Sequence, residues 1–525
     1  MIYIDIFNNY CLTALANTFN LNNALVNYNN IPEIYTIYIK ISTAFFNFCL
    51  ILFLILFIFN FIIYIFFKRF SVVNKFFFYV NFLISIIIEV TLIIKLYLSF
   101  TIEGILKSLI LQEKLNFYKN NKDIQHLEHF VVFSSAFSDI IILLSVIIGL
   151  ICLDILGPKN YFDNISNNGI FYLFNVFVII MASTNNLLIM FICFECIFLP
   201  TVFFAYKFGY SKKIDKAALT LFTWTLFGSF LVLCGLLYLY YRYNSLNYLI
   251  LSEKRISLNE KRVLFYIFLI GFSIKIPLAP LHYWLLKVHV ESPTAYSIFL
   301  SGFLVKSALY CLSMLLQQFY ASTESIPALI WFLYSLTIGT YGIGRQSDLK
   351  KLIAWCTVQE MSFIIMFWGL KQTYLDKHYL LFVIMHGLLS AYMFLLVDII
   401  QRRYETRNIA AITGINLISP QLTKYVWFLI LIFSGFPLSA KFVIEWNLFC
   451  LLSNYGFILY LIVAFTVNVA GVILFSRIML NILYGTPKNI VEPMVFDIQK
   501  REFTLLNTLM YLIIILTILI YIIIE

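Results

Sequence analysis

Charge is scarce in this sequence. Asp, Glu, Lys and Arg make up 12% of its 525 residues, about half the share that an ordinary soluble chain carries. That shortage excludes a typical soluble enzyme or binding module. Histidine is rarer still, with 6 residues, and the 9 cysteines are scattered, mostly within apolar runs. The scatter argues against a disulfide framework, and no group of His and Cys has zinc, haem or iron–sulfur spacing. Cys193 and Cys196 form a C-x-x-C inside an apolar run with no second pair nearby, which reads as packing rather than metal or redox work. Phosphate loops are missing as well. Gly342-Ile-Gly344 lacks the third glycine and the strand context of a dinucleotide site, and no Walker motif occurs. The chain carries no evident cofactor or redox centre of its own.

Apolar residues, by contrast, make up 62% of the chain, and its mean hydropathy is +0.91. A bilayer core about 30 Å thick takes roughly 20 apolar helical residues to cross. Such spans are predicted near 36–66, 76–100, 130–154, 170–183, 186–206, 217–241, 263–289, 293–318, 325–344, 351–370, 377–400, 424–450, 455–484 and 502–524. The fold class is therefore an all-α polytopic membrane protein of about 14 transmembrane helices. The net charge of +10 does not point to nucleic acid, because Lys and Arg fall in short stretches such as Lys68-Arg69, Lys212-Lys213 and Arg402-Arg403. Loops flanking membrane helices look like this, and no nucleic-acid partner is expected. Their bias toward one set of loops is too weak to fix orientation. Residues 1–35 contain Asp5, Glu33 and little Arg, unlike a cleavable targeting peptide, and are expected to be an extramembrane segment. The abundance of Phe (55) and Tyr (35), which share AT-rich codons, fits an organellar genome.

Two predicted spans are interrupted. One reads Lys275-Ile-Pro277-Leu-Ala-Pro280-Leu-His282 and the other Ser434-Gly435-Phe436-Pro437-Leu-Ser439-Ala-Lys441. Proline removes a backbone donor and frees a carbonyl, and a broken helix at membrane depth persists only where protein or a water-filled cavity satisfies it. By order these are the seventh and twelfth spans. Two five-helix repeats with one discontinuous helix each would give that spacing, and inverted-repeat transporters place their ion sites at such breaks. Trp284 and Trp446 follow the two breaks, a weak internal match. The alternative is two unrelated proline kinks.

Charges inside apolar spans are the other anomaly, since each costs about 2.5–3.5 kcal/mol at a helix centre. The candidates are Glu195, Lys275, Lys306, Glu360, His386 and Glu445. A buried carboxylate beside a lysine makes a switchable proton site, because moving either group changes how firmly the lysine holds its proton. Glu195 and Lys306 lie in mid-span, away from any loop. Lys275 also suits capping of carbonyls freed at its break, His386 suits a hydrogen-bonded core histidine, and Glu445 suits a local pair with Lys441. Glu360, nearer a predicted helix start, suits a solvated position.

The stretch Lys275–His282 running into Trp284-Leu-Leu-Lys287-Val-His289-Val-Glu291-Ser-Pro293, with Lys306 and with Arg345-Gln346-Ser-Asp348-Leu-Lys350, resembles chain 4 of NADH–quinone oxidoreductase, respiratory complex I, in its mitochondrial form. Phe194-Glu195-Cys196 leading to Pro200, His386-Gly387-Leu-Leu-Ser390 and Phe442-Val-Ile-Glu445 extend the resemblance over residues 185–485. It implies fourteen helices, with helices 4–8 and 9–13 as inverted repeats and 7 and 12 discontinuous. It also implies Glu195 and Lys275 as a modulating pair, Lys306 and His386 as a central relay, and Glu445 at the hand-over point. One departure stands out: family members usually carry Ser-His where this chain has Gln359-Glu360.

The domain plan that follows is 1–35 extramembrane, 36–160 N-terminal membrane helices, 161–320 and 321–485 the two antiporter-like repeats, and 486–525 a C-terminal segment with the last helix. The resemblance implies a non-redox, proton-translocating subunit of the mitochondrial inner membrane. FMN, iron–sulfur clusters and ubiquinone would belong to other subunits, and the partners would be neighbouring membrane-arm chains, the sister antiporter-like chains among them, and phospholipids. Two alternatives are a stand-alone cation/proton antiporter and a structural membrane subunit without a proton path.

Overall fold

Backbone that crosses lipid must satisfy its own N–H and C=O groups, which leaves the helix as the choice for these apolar segments. The computed structural model describes residues 136–156, 174–208, 213–319, 325–371, 377–454, 456–486 and 497–524. The predicted segment 1–35 and the first two spans, 36–66 and 76–100, lie outside these. The described residues are helical, with two isolated β-bridges.

The helices are α1 (Ala136–Leu156), α2 (Phe174–Ser183), α3 (Leu187–Phe208), α4 (Ile214–Tyr243), α5 (Tyr248–Glu253), α6 (Leu258–Lys275) and α7 (Tyr283–Glu291). The helix α8 runs from Thr294–Phe299 through a π-helical turn, Leu300–Leu304, into Val305–Phe319. Then follow α9 (Ser325–Gly344), α10 (Leu349–Lys371), α11 (Lys377–Tyr404), α12 (Pro420–Phe433), α13 (Ala440–Asn454), α14 (Ile458–Leu483) and α15 (Lys500–Ile524). Among the described residues, eight helices are long and apolar enough to cross a membrane. The chain is a multi-pass membrane protein.

Burial divides the helices into an inner and an outer set. The apolar lengths of α8 and α11 are wholly buried and that of α10 nearly so, whereas α4, α14 and α15 turn faces carrying Phe230, Tyr241, Ile473 and Ile515 outward. Apolar outer faces suit lipid, and van der Waals packing between helices then carries the cohesion that water would otherwise drive. The inner helices approach closely at paired glycines. A Cβ on Gly387 of α11 would lie 3.1 Å from the Gly302 carbonyl of α8, and one on Gly302 3.4 Å from the Gly387 carbonyl. Gly302 lies in the π-helical turn, a feature that often marks functional sites.

The two predicted interruptions are real breaks, and each is satisfied by side chains. After α6, the carbonyl of Ile274 accepts from Trp284 Nε1 at 2.7 Å. Ala279 N donates to Ser335 Oγ at 2.9 Å, and its carbonyl accepts from Trp331 Nε1 at 2.7 Å. After α12, Gly435 takes φ +66°, and the carbonyl of Phe433 accepts from Lys441 Nζ at 2.8 Å. The left-handed conformation at Gly435 is one that a side chain would strain.

The segments leading into the breaks resemble each other. An antiparallel bridge joins Asn186 to Asn247 just ahead of α3, and another joins Asp348 to Asn408 just ahead of α10. Among the described residues, Asn244 and Glu405, beyond α4 and α11, are the non-glycine residues with positive φ. The C-terminal α15 is pinned at its start. Asp497 accepts from the backbone N–H of Gln421 (2.6 Å) and Leu422 (3.1 Å), capping α12, while Arg403 of α11 pairs with Glu502 at 2.6 Å.

Candidate functional site: buried charges on the inner helices

At the first break, Lys275 is fully buried and pairs with Glu195 of α3. Ser229 Oγ of α4 donates to the same carboxylate oxygen at 2.8 Å. The ammonium also faces the rings of Phe194 and Phe198, at 4.3 and 5.4 Å from their centroids, where the π-face adds attraction for a cation. Capping was the other reading of Lys275. Trp284 takes the freed carbonyl instead, and the lysine is left to its acid. Glu195 retains 23% side-chain exposure, so the pair stands at the edge of the interior.

Lys306, wholly buried on α8, donates to the carbonyl of Ser301 in the π-helical turn. No described carboxylate pairs with it directly, and Glu360 is the acid whose charge reaches it. His386 on α11 is buried with neither ring nitrogen hydrogen-bonded, unlike an ordinary core histidine. The cations whose charge reaches it are Lys306 and Lys441.

At the second break Glu445 Oε2 accepts from Asn468 Nδ2 of α14 at 2.9 Å, and Glu445 Oε1 lies 3.5 Å from Lys441 Nζ. The expected local pair is therefore present. Lys441 also binds Glu360 of α10 directly, and both are buried. This corrects the solvated position expected of Glu360, which stands three turns into α10 against a buried lysine.

Two buried groups that the sequence did not single out as candidates stand beside these. Lys441 is one. The other is His289 of α7, fully buried with neither ring nitrogen hydrogen-bonded and stacked on Phe394 at 4.7 Å. Lys306 and Lys350 are the cations whose charge reaches it, and Lys350 Nζ donates to the carbonyl of Ser292 at 3.0 Å. Cys193 is buried in apolar packing, and no group of three or more metal-binding side chains occurs among the described residues.

Chemically, the arrangement offers buried acids, ammonium groups and unpartnered imidazoles, the parts of a proton relay. A sequence model of the NADH:quinone oxidoreductase/Mrp antiporter membrane family matches residues 184–471. NADH-ubiquinone oxidoreductase chain 4 of Paramecium tetraurelia is 33% identical over 366 residues, 69% of this chain and 77% of that one. Chain 4 of Acanthamoeba castellanii is 30% identical over 319 residues, 59% of this chain and 63% of that one. Among solved structures, a chain of respiratory complex I from Thermus thermophilus superposes with a TM-score of 0.62 at 17% identity, covering 73% of this chain and 79% of that one. A chain of the Mrp complex from a Dietzia species gives 0.64 at 17% identity, covering 73% and 80%. At that identity the likeness speaks for a shared fold.

Proposed function

Because the chain belongs to the NADH:quinone oxidoreductase/Mrp antiporter family of membrane subunits, we propose that it is the chain 4 subunit of a mitochondrial respiratory complex I and moves protons along its buried charges. In this reading it spans the inner membrane with fourteen helices, and helices 4–8 and 9–13 form inverted repeats. The matched bridges, the two positive-φ residues and the two breaks support the repeats. Neighbouring membrane-arm subunits, the sister antiporter-like chains and phospholipids surround it. FMN, iron–sulfur clusters and ubiquinone belong to other subunits, which supply the energy.

The observation that carries the reading is the pairing of buried Lys275 with half-buried Glu195 at a broken helix. A change in the field around Glu195 alters how Lys275 holds its proton, and the relay continues through Lys306 and His386 to Glu445. Coupling to quinone reduction elsewhere in the complex then needs only electrostatics, with no redox step in this chain.

The test is Lys275→Ala or Glu195→Ala in the intact complex. Proton-coupled activity is expected to fall severely, with oxidation of NADH by artificial acceptors intact. Normal pumping in an assembled variant would overturn the assignment. The family also takes in the Mrp antiporters, which favours a second reading, a stand-alone cation/proton antiporter. Purification separates the two, since flavin and iron–sulfur subunits are expected to co-isolate with this chain only in complex I.

A further inference from the structure

Building on the proton-carrying reading above, we propose that Lys441 is a second switching residue of the relay: its ammonium, held between Glu360 and Glu445, alternates between the two carboxylates and drives one proton outward at each exchange. Lys441 and Glu360 are 1% and 3% exposed in their side chains, and Glu445 8%. The ammonium contacts Glu360, lies 3.5 Å from Glu445 Oε1, and is anchored by the carbonyl of Phe433 at 2.8 Å. Glu445 Oε1 accepts no hydrogen bond, while Oε2 is held by Asn468. A short swing of the lysine about its anchor exchanges one carboxylate for the other.

Charge balance gives the switch its direction. Two acids and one base in a dry interior are neutral together only when one acid carries a proton, and an unpaired buried charge is strongly disfavoured. With Lys441 on Glu360, the proton resides on Glu445. When the ammonium turns to Glu445, that carboxyl releases its proton outward. Glu360, now without its cation, takes one up from the His386 side. On the return swing the proton of Glu360 passes to Glu445, and the three groups are restored with one proton taken in and one released. Lys441 stays charged throughout.

A lysine serving only to pin two helices needs one acid, and a second carboxylate beside it is what creates two positions. The arrangement also repeats that of the first half. There Glu195 of α3 meets Lys275 at the α6 end of a break, 80 residues away, and here Glu360 of α10 meets Lys441 just after the next break, 81 residues away. The other titratable groups facing Lys441 are Cys356 on α10 and His386 on α11.

The experiment compares Lys441→Gln, Lys441→Arg and the double variant Glu360→Gln with Lys441→Met in the intact complex reconstituted in vesicles, reading protons moved per NADH oxidised. Infrared difference spectra of the carboxyl C=O stretch are recorded on the same samples. Lys441→Gln is expected to lower the ratio and remove a carboxyl band that changes during turnover, while Lys441→Arg, which keeps the charge, retains both. In the double variant Glu445 keeps its proton, so no lone buried charge remains, and the complex is expected to assemble and to lose the same function. A parental ratio and band in assembled Lys441→Gln or in the double variant overturns the inference. If those variants pump normally while Lys275→Ala does not, the relay stands and only the second switch fails. Normal pumping by Lys275→Ala would remove the relay itself.

Discussion

The Glu195–Lys275 pair allows packing and function to be separated by a double-mutant cycle. Glu195→Gln leaves a fully buried ammonium without its acid, and Lys275→Met leaves a carboxylate that retains 23% exposure. Removing one partner of a buried pair destabilises by about 3–5 kcal/mol. The exposure of Glu195 moves Lys275→Met toward or below the lower end of that range, because water screens the stranded acid. The double variant strands no charge, so it is expected to recover at least about 2 kcal/mol relative to the sum of the singles. Thermal stability of the purified complex reads this coupling. Pumping is expected to follow a different pattern, with the double variant losing tenfold or more, about 1.4 kcal/mol on the barrier, because the first break no longer carries a switchable lysine. A double variant that recovers both stability and pumping would refute the reasoning and reduce the pair to a structural clamp.

Other expectations are more local. Gly387→Val places a side chain 3.1 Å from the Gly302 carbonyl and 2.9 Å from Leu144, so it is expected to lower the melting temperature and slow turnover by forcing α11 from α8 beside Lys306 and His386. Asn468→Leu removes the hydrogen bond to Glu445 Oε2 and is expected to slow proton-coupled turnover severalfold, with NADH oxidation by artificial acceptors unchanged. Trp284→Phe leaves the Ile274 carbonyl unpaired beside Lys275, a loss of about 1–3 kcal/mol to be read by thermal melting. Asp497→Ala uncaps α12 and is expected to cost about 1 kcal/mol without changing the number of protons per NADH.

The helices were legible because lipid leaves a chain so few alternatives, and the breaks because Pro277 and Pro437 stand within apolar runs. Glu195, Lys275 and Lys306 announced themselves by being charged in mid-span. Pairing was harder to read, since Lys275 and Glu195 are 80 residues apart, and hydropathy carries no information on which helices meet. Glu360 was misplaced for the same reason: its lysine is 81 residues away, across a break. The signal that was available was the repetition itself, an acid and a lysine with nearly the same separation at each interrupted helix. His289 carried no such signal, because its burial depends on α11 presenting Phe394 to its ring.

The proposed relay depends most on Lys306, the central cation with which no described carboxylate pairs directly. The direct measurement is the number of protons moved per NADH oxidised by the assembled complex carrying Lys306→Met. A ratio below that of the parent, with peripheral NADH oxidation unchanged, is the expected result. A parental ratio would contradict proton transfer through this chain.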